Sequence, residues 1–431
     1  MLTTTTKPRG TSDYFYQLDP SLDLLINFAK NLSRLNGYYE IVTPIFEHKE
    51  LFVRSVGSTS DIVEKEMYEF VDKNNRPLVL RPEMTASVCR CIIENNLLTK
   101  MALPIKTFYI GPMFRYERPQ SGRSRQFYQF GVECIGSNSY FDTVEIVIFA
   151  LSFLQIFHYN EYVLKINNIC GCETRKKWIT ALKKYFSKYK EKLSIDSQKR
   201  LDKNPLRILD DKIDGEKDFV KKAPKITNFA TKDEIDYFKK ITNIFDQQKI
   251  KYVIDDTLVR GLDYYCNFVF EIESTSSLLK GQPTLIGGGQ YNTLLKELGS
   301  ESTNCVGFAI GLDRLIVALT NNEIFKKQKE MYLNVDVVIA PLESKFDLYA
   351  LSISNCLKQN AISSLTKFGT NKLEKHFKYA QKQKAKFVII FGEKEIKENV
   401  VLIKDQKTRQ QEKIELKNIV SYLYNKLGWK K

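Results

Sequence analysis

The sequence lacks any long apolar run, and this argues against an integral membrane protein. The longest apolar stretch, Ile146 to Phe157, is interrupted by serine and glutamine and is too short to cross a bilayer. We interpret it as a buried core or interface helix. The N-terminal residues MLTTTTKPRG contain no apolar segment of the kind that a secretory signal needs. We therefore expect a cytoplasmic protein with no membrane partner.

Histidine is scarce, and the cysteines are scattered along the chain. There are three histidines and eight cysteines, and no two cysteines form a C-x-x-C motif. Two C-x-C pairs occur, but they do not make a zinc site without further ligands at the right spacing. We expect these cysteines to be core thiols in a reducing compartment, and we expect no zinc.

Basic charge is abundant and unevenly distributed. The formal net charge is +15, and residues 171–250 carry 21 Lys and Arg against 13 Asp and Glu, while residues 332–431 carry 19 against 10. The rest of the chain is close to neutral. Basic surface confined to two regions indicates a large polyanion such as nucleic acid as a partner. The alternative is a lysine-rich composition that decorates every solvated face.

The spacing of apolar residues divides the first three quarters of the chain into predicted elements. Helices are predicted in residues 19–36, 84–95 and 142–157. Strands are predicted in residues 38–47, 78–80, 251–265, 266–273 and 285–295. Residues 171–250 show basic amphipathic helical patterns with little strand character, and we interpret them as a helical insertion.

The remaining residues predict a second domain. Lys326–Glu330 is interpreted as a linker, and residues 335–342 and 385–392 as short buried strands that alternate with helices. This alternation predicts a small α/β domain with a mainly parallel sheet. We therefore expect one domain over residues 1–325 and another over residues 326–431.

Residues 108–136, FYIGPMFRYERPQSGRSRQFYQFGVECIG, are the most informative stretch of the chain. Two aromatic, apolar runs flank a tip that holds Pro119, Gly122 and the four arginines Arg115, Arg118, Arg123 and Arg125. The pattern predicts an antiparallel hairpin with a long cationic loop. Guanidinium groups fixed on a strand can grip a polyphosphate. A solvated tip without function is the alternative.

Four further clusters combine charged or hydroxyl groups with glycine or aromatic residues. They are RPEMT (81–85), RGLDYY (260–265), GGGQYN (287–292) and GLDR (311–314). A carboxylate and a hydroxyl at a strand-to-helix junction can hold an ammonium group, and the triple glycine lets backbone approach a ligand. The arginine that opens the last helix can meet a phosphate. A cluster of this kind on its own more often has a structural role. The four clusters together, in this order, indicate a functional site much more strongly.

Together these stretches resemble the histidyl-tRNA synthetase family of class II aminoacyl-tRNA synthetases, from Thr6 to about Leu416. KPRGTSDY is similar to the family's opening, and YYEIVTPIFE, FRYE and GFAIGLDRL resemble class motifs 1, 2 and 3. LVRGLDYY and GGGQYN resemble stretches peculiar to the histidine enzyme. KLEKHFKYAQKQKAKFVIIFGEKE resembles its anticodon-binding domain.

The resemblance implies a fold, an activity and partners. The fold is an α+β class II catalytic domain, an antiparallel sheet flanked by helices, with a helical insertion and a C-terminal α/β anticodon-binding domain. The activity is ATP-dependent attachment of L-histidine to tRNA(His) through a histidyl-adenylate, with release of AMP and pyrophosphate. Mg²⁺ is expected with ATP, with no protein ligand assigned to it. A homodimer is expected because motif 1 builds a dimer interface in this class.

It also implies roles for individual residues. Arg260 and Arg115 are the expected catalytic residues, beside the ATP α-phosphate. The expected histidine-binding residues are Glu83, Met84, Thr85, Gln129, Glu133, Arg260, Tyr264 and Tyr265, with Glu133 and one tyrosine of the pair on the imidazole. The expected ATP-binding residues are Arg115, Glu117, Arg123 and Arg314, with Glu117 on the adenine amino group. Arg118 and Gln120 are expected to contact the tRNA acceptor end.

Some positions depart from the family pattern, and two rival functions remain. Gln290 and Asn292 stand where the family usually has arginine and aspartate, so a salt bridge or phosphate contact is expected to be missing there. Met84 replaces a glycine that is common in bacterial members. The rivals are a non-catalytic paralogue that senses tRNA and a class II enzyme for another amino acid. Class I chemistry is disfavoured because H-x-G-H and K-M-S-K-S signatures are missing from the sequence.

Overall fold

The computed structural model describes residues 6–57, 60, 62–137, 139–209, 211 and 213–428, and the chain divides into two compact units, Met1–Lys326 and Lys327–Lys431. The N-terminal residues MLTTTTKPRG, in which no secretory signal is predicted, include positions 1–5, which lie outside the described residues. Along the described chain, no helix is both long enough and apolar enough to cross a membrane.

Helices and strands are interspersed along the first unit. Its helices are α1 (Ser21–Leu35), α2 (Lys49–Val56), α3 (Thr85–Glu94), α4 (Leu97–Lys100), α5 (Tyr140–Gln155), α6 (Cys172–Ser187), α7 (Ile195–Lys203), α8 (Leu206–Leu209), α9 (Asp218–Lys221), α10 (Lys232–Gln247), α11 (Leu294–Glu297), α12 (Leu312–Leu319) and α13 (Glu323–Tyr332), which spans the unit boundary. Its strands are β1 (Tyr39–Glu40), β2 (Phe46–His48), β3 (Tyr68–Val71), β4 (Pro77–Leu80), β5 (Ile105–Phe114), β6 (Gln126–Ile135), β7 (Tyr162–Asn168), β8 (Val253–Ile254), β9 (Cys266–Ser274), β10 (Thr284–Gln290) and β11 (Cys305–Gly311).

An eight-stranded sheet in the order β1-β5-β6-β11-β10-β9-β7-β8 frames the first unit. Its six inner strands run antiparallel, while the edge strands β1 and β8 pair parallel with their neighbours. The apolar helix α5 packs Phe149 and Phe153 into a core shared with Phe130 and Phe308 of the sheet. The predicted antiparallel sheet flanked by helices is therefore confirmed, and so is the buried helix in residues 142–157.

The predicted arginine hairpin is also confirmed. Strands β5 and β6 pair without a break from Ile105 opposite Ile135 to Phe114 opposite Gln126. Residues 115–125 form the loop between them. Gly131 lies opposite Tyr109, and a Cβ at this glycine would overlap the Tyr109 phenol ring. The glycine thus gives the tyrosine ring room to lie across the strand.

The single strand predicted in residues 38–47 is wrong. The segment splits into β1, in the large sheet, and β2, in a three-stranded sheet of order β2-β4-β3. Pro44 has no N–H for a ladder, and Arg81 takes the carbonyls at the break instead. Its Nη1 donates to the carbonyl oxygens of Thr43 at 2.9 Å and Pro44 at 3.3 Å.

The strand predicted over residues 251–265 is much shorter, because only Val253–Ile254 pairs. The Asp255 carboxylate accepts hydrogen bonds from the Thr257 backbone N–H at 3.0 Å and from its hydroxyl at 2.6 Å. Such local side-chain bonds compete with a strand ladder. The RGLDYY stretch consequently lies in bends and turns rather than in a strand.

Residues 171–250 fold as the predicted run of helices, α6 to α10. Trp178, Leu182 and Phe186 of α6 are buried, and the Trp178 indole N–H donates to the Pro224 carbonyl at 2.6 Å. Helix α10 begins with a capping box, in which the Thr231 hydroxyl and the Glu234 carboxylate exchange backbone hydrogen bonds. We call α6 to α10 the helical insertion.

The second unit contains β12 (Val337–Pro341), α14 (Asp347–Gln359), β13 (Ser364–Thr366), α15 (Leu373–Lys382), β14 (Phe387–Phe391), α16 (Glu393–Lys397), β15 (Val400–Asp405), β16 (Gln411–Glu415) and α17 (Ile419–Leu427). Its five-stranded sheet has the order β13-β12-β14-β15-β16. The sheet is mixed, so the prediction of a mainly parallel sheet is wrong: β12 pairs parallel with β13 and β14, but β14 pairs antiparallel with β15, and β15 with β16. Strand β16 is polar and exposed, so it carries no apolar signal in the sequence.

The predicted linker Lys326–Glu330 is wrong as well, because these residues lie inside α13. The Asn322 side-chain carbonyl accepts the Phe325 N–H at 2.9 Å near the start of this helix, and the Phe325 ring is buried. Lysine, glutamine and glutamate are good helix formers. A single buried anchor and a capped start are therefore enough to make the charged segment helical.

Candidate active site

A cavity of about 390 Å³ opens over one face of the eight-stranded sheet. Its walls come from strands β5, β6, β9, β10 and β11, from the turn before α3, from the segment Arg260–Tyr265 and from the start of α12. A Cβ at Gly287 would overlap the Arg260 guanidinium, and a Cβ at Gly307 would overlap the Glu133 carboxylate. Two glycines therefore make room for the charged groups of this cavity.

One end of the cavity is built around the carboxylate of Glu133, which is 1% exposed. The Thr85 hydroxyl donates to its Oε1 at 2.6 Å, and the Tyr291 hydroxyl donates to its Oε2 at 2.5 Å. Burial raises the pKa of Glu133 to about 8. Tyr264 and Tyr265 line the same cavity, with ring centroids 4.7 Å apart.

Glu83 lies near this end, at the start of α3. Its carboxylate accepts the backbone N–H groups of Thr85 at 2.7 Å and Ala86 at 3.0 Å, which satisfies free donors of the first helical turn. Burial nevertheless raises the pKa of Glu83. Glu83 and Thr85 thus stand in the cavity wall at the predicted strand-to-helix junction, which the structure confirms between β4 and α3.

The other end of the cavity is cationic. Arg115 is held by a hydrogen bond from its Nε to the Pro82 carbonyl at 2.9 Å, and its guanidinium lies 5.4 Å from the Phe127 ring centroid. Arg314 donates to the carbonyls of Gly122 at 3.0 Å and Thr284 at 2.5 Å. Burial and the nearby charges of Arg115 and Arg123 lower the pKa of Arg314 to about 10.

Two of the cationic groups are paired with carboxylates. Arg123 forms ion pairs with Glu117 and, at 3.6 Å, with Glu66. Arg260 pairs with Glu271, whose other oxygen accepts the Thr284 hydroxyl at 2.9 Å. Burial by itself would lower the pKa of Arg260, but the Glu271 carboxylate and the neighbouring Tyr265 and Tyr264 together outweigh burial, and the pKa is raised.

Two buried polar atoms of the cavity-lining residues lack a partner within the described part of the chain. They are Nε of Arg260, a donor, and Oε1 of Gln129, an acceptor. Buried polar atoms are rarely left without a hydrogen bond. The Arg260 donor and the Gln129 acceptor can therefore form hydrogen bonds with a polar ligand in this cavity.

The N-terminal segment closes over the arginine loop. The Arg125 backbone N–H donates to the Gly10 carbonyl at 2.7 Å, and a Cβ at Gly10 would crowd Pro119 and Arg125. Asp313, which precedes Arg314, accepts the Tyr14 hydroxyl and, at 2.6 Å, the Tyr128 N–H. The residues KPRGTSDY thus join the hairpin loop to the start of α12.

Most of the predicted site residues line this one cavity. They are Glu83, Thr85, Arg115, Glu117, Arg123, Gln129, Glu133, Arg260, Tyr264, Tyr265 and Arg314. Met84 instead lies in an apolar core cluster with Val88 and Cys89 and is 1% exposed, so its side chain packs behind the wall. Arg118 and Gln120 are exposed near the tip of the loop.

Sequence reasoning missed several groups of the cavity. In the sequence Glu271 is predicted only as part of a strand and Tyr109 only as an apolar residue of the hairpin. Glu66, which lies beside the cavity residue Arg123, carries no predicted role. Two of them depend on a partner outside their own element: Glu271 pairs with Arg260, 11 positions earlier, and Glu66 with Arg123 across a longer separation. A charged residue within the apolar alternation of β9 was the one available signal for Glu271.

The two unusual residues of the GGGQYN stretch do not line the cavity in the described structure. Gln290 Nε2 donates to the Tyr237 hydroxyl at 2.6 Å and to the Thr143 hydroxyl at 3.1 Å, which joins β10 to α10 and α5. The Asn292 side-chain carbonyl accepts the Cys305 N–H at 3.1 Å. Both side chains therefore serve local structure in this chain.

Among the described residues, no group of three or more histidine, cysteine, aspartate and glutamate side chains is arranged to hold a metal ion. The cysteines are free thiols. Burial raises the pKa of Cys305 and of Cys266, the latter to about 11. Such buried, protonated thiols are chemically inert.

Comparison with known proteins identifies the family. A family model described as histidyl-tRNA synthetase matches residues 25–315, and one described as an anticodon binding domain matches residues 336–426. The chain is 46% identical over 421 residues to a histidine–tRNA ligase of Malacoplasma penetrans, with 96% of each chain covered. It is 42% identical over 417 residues to one of Ureaplasma urealyticum, with 96% of this chain and 98% of the relative covered.

A solved structure agrees with these matches. The crystal structure of apo S. aureus histidyl-tRNA synthetase superimposes with a TM-score of 0.81 at 34% identity, covering 97% of this chain and 100% of the other. The fold, the cavity and the sequence relationships agree, and the chain belongs to the histidyl-tRNA synthetase family.

Proposed function

We propose that this chain attaches L-histidine to tRNA(His) in two steps, with ATP as the energy source. The observation that carries the proposal is the division of one cavity into a carboxylate end and an arginine end. A buried carboxyl beside hydroxyl groups suits an imidazole, and a cluster of guanidinium groups suits a polyphosphate. An enzyme that joins histidine to a nucleotide needs both ends within reach of one another.

At the carboxylate end, the proposed ligand is histidine. An imidazole offers a donor and an acceptor on opposite edges, so Glu133 and one hydroxyl of Tyr264 and Tyr265 can bind it together. Glu83, Thr85 and Gln129 would hold the α-ammonium group. The unpartnered Gln129 Oε1 is a suitable acceptor for it.

At the arginine end, the proposed ligand is ATP with its accompanying Mg²⁺. Arg115 would bind the α-phosphate, and Arg123 and Arg314 the outer phosphates. Glu117 would accept a hydrogen bond from the adenine amino group. Because Glu117 is now paired with Arg123, ATP binding would replace that ion pair with two ligand contacts.

In the first step, the histidine carboxylate attacks the α-phosphorus, and pyrophosphate leaves. Arg260 would stabilise the negative charge that grows on the α-phosphate oxygens. Such preorganised donors contribute about 3–4 kcal/mol each. The rest of the rate comes from holding the two reactants in line.

In the second step, a terminal ribose hydroxyl of tRNA(His) attacks the histidyl carbonyl, and AMP leaves. Arg118 and Gln120, exposed near the tip of the arginine loop, would contact the acceptor end. Residues 1–325 would form the catalytic domain and residues 326–431 the anticodon-binding domain. The protein would act in the cytoplasm.

The active form would be a homodimer. Large apolar side chains are exposed in and near β1, β2 and β3, notably Tyr39, Val42, Phe46, Phe70 and Val71. Clustered exposed apolar groups are typical of interfaces, and a two-fold dimer would bury them against their own copies. Motif 1 of the class lies in this part of the chain.

Amino-acid-dependent ATP–pyrophosphate exchange tests the activity. We expect exchange with L-histidine and none with the other standard amino acids. Exchange with a different amino acid alone would mean a class II enzyme of another specificity. If no amino acid supports exchange while the protein still binds tRNA, the chain is a non-catalytic paralogue and the proposal is wrong.

A further inference from the structure

The segment Val259–Tyr265 lies between the cavity and the helical insertion. Arg260, Tyr264 and Tyr265 line the cavity. Parts of the same segment also line a void of about 20 Å³ together with residues of the insertion, which is room for about one water molecule. These described residues form no helix or strand. Their backbone carbonyls must therefore find partners outside a regular ladder.

Two arginines of the helical insertion supply those partners. Arg175, in the first turn of α6, donates to the carbonyl oxygen of Tyr265 and, at 3.3 Å, to that of Asp263. Arg207, in α8, donates to the carbonyl oxygen of Gly261 at 3.0 Å. Alternate carbonyls at 261, 263 and 265 are thus fixed from the insertion side.

The side chain of Asp263 strengthens the same contact. Burial raises the pKa of this carboxyl, while the charges of Arg207 and Arg175 act in the opposite direction. Asn204, between α7 and α8, donates to its Oδ1 at 3.3 Å. A carboxylate flanked by two guanidinium groups makes the insertion and the segment electrostatically complementary.

We infer that Arg175 and Arg207 are positioning residues for the proposed reaction, holding Arg260 and Tyr265 toward the cavity through three backbone carbonyls. The inference rests on the proposed aminoacylation activity. Neither arginine needs to touch histidine or ATP. The helical insertion then helps to position the active-site residues, and a displacement of α6 would move Arg260.

Arg200 offers a matched control. It lies in α7 of the same insertion, and its Nη1 pairs with the Asp211 carboxylate at 3.0 Å. Asp211 belongs to the insertion itself and not to the segment Val259–Tyr265. Arg200→Ala therefore removes an arginine ion pair of the insertion and leaves the donors to the three carbonyls, Arg175 and Arg207, in place.

The test compares Arg175→Ala, Arg207→Ala and Arg200→Ala in the full-length protein. Histidine-dependent ATP–pyrophosphate exchange gives kcat and both KM values, at a temperature where circular dichroism shows each variant to be folded. Because small misplacements of a catalytic group cost up to about a hundredfold in rate, we expect kcat to fall at least about tenfold in the first two variants. Arg200→Ala should stay within about twofold of the wild-type kcat, because its pair with Asp211 lies within the insertion.

Lysine variants keep the test decisive if an alanine variant does not fold. Arg175→Lys keeps the charge and can reach one carbonyl, so it should regain part of the kcat that Arg175→Ala loses. A lower unfolding temperature with unchanged kcat in both alanine and lysine variants would overturn the inference, and so would an equal loss in Arg200→Ala. Absence of exchange in the wild-type protein would instead contradict the proposed function.

Discussion

The two ends of the cavity hold their charged groups in different ways. At the carboxylate end, Glu133 is fixed by hydroxyl groups of Thr85 and Tyr291, and among the described residues it forms no ion pair. At the arginine end, Arg115 and Arg314 are fixed by backbone carbonyls of Pro82, Gly122 and Thr284. At one end the buried carboxyl groups of Glu133 and Glu83 are held by neutral donors, and at the other end several guanidinium groups lie together, two of them paired with carboxylates.

This difference suits the carboxylate end to the recognition of histidine and the arginine end to catalysis. A buried carboxyl with hydroxyl partners can accept or retain a proton, so its charge depends on pH and on what binds it. Guanidinium groups keep their charge throughout the physiological range, and their mutual repulsion falls when an anion enters. We therefore expect changes at the carboxylate end to alter histidine binding, and changes at the arginine end to alter the rate.

Loss of Arg260 should have the largest effect. Arg260→Ala removes the group proposed to stabilise charge on the α-phosphate, and we expect histidine-dependent ATP–pyrophosphate exchange to fall at least about a hundredfold, as for other preorganised donors. The loss should lie mainly in kcat, because the contact strengthens in the transition state. Steady-state exchange kinetics measure it.

The ion pair with Glu271 complicates this prediction, so a second variant is needed. Glu271→Gln leaves Arg260 in place and keeps a hydrogen-bond acceptor beside it. It should retain more activity than Arg260→Ala. Near-normal exchange in Arg260→Ala would remove this arginine from its proposed role and would erase the contrast between the two ends.

Glu133→Gln should have an intermediate effect, mainly on histidine KM. A hydrogen bond to a charged group contributes about 1.5–3 kcal/mol, so we expect KM for histidine to rise between about tenfold and a hundredfold. Because burial raises the pKa of Glu133 to about 8, the wild-type advantage over the variant should grow as pH rises toward 8. The ratio of kcat/KM for the two proteins isolates this titration from that of free histidine. A ratio that does not change with pH would contradict the assignment.

The same carboxyl has a consequence for stability in the absence of ligand. Its pKa is raised from 4.5 in the unfolded reference to about 8 in the folded protein, so the folded state binds the extra proton between these values. Stability from this group is present below pH 4.5 and is lost as pH rises through 8. Glu133→Gln should lose less stability over this range in urea titrations, by an amount on the order of a few kcal/mol.

Most of the residues that the sequence singles out line one cavity, because they lie in short contiguous motifs. The hairpin brings Arg115, just after β5, and Glu133, in β6, to one cavity, and RGLDYY places Arg260 and the tyrosines within six positions of one another. What the sequence could not predict are contacts between distant segments. Arg175 and Tyr265 are ninety positions apart, and no local pattern joins them.

Errors in the predicted elements have the same cause. Residues 38–47 look like one strand, but the backbone carbonyls at the proline break bind Arg81, which lies well outside that segment. Residues 255–257 carry apolar neighbours, but an aspartate and a threonine form a local turn there. Local propensity is a weak guide wherever a side chain offers the backbone another partner.

Gln290→Ala should have the smallest effect on catalysis, and it serves as a reference for the losses in Arg260→Ala and Glu133→Gln. Its side chain joins β10 to Thr143 and Tyr237 rather than lining the cavity. Gln290→Ala leaves buried hydroxyl groups without this partner, and we expect a loss of unfolding free energy of about 1–3 kcal/mol. The kcat and both KM values should stay within about twofold of wild type at a temperature where the variant is folded. Urea titration and exchange kinetics on the same preparation measure both quantities.

A large fall in kcat in Gln290→Ala would mean that the sheet transmits distant packing changes to the cavity. The losses in Arg260→Ala and Glu133→Gln could then no longer be assigned to one end of the cavity or the other.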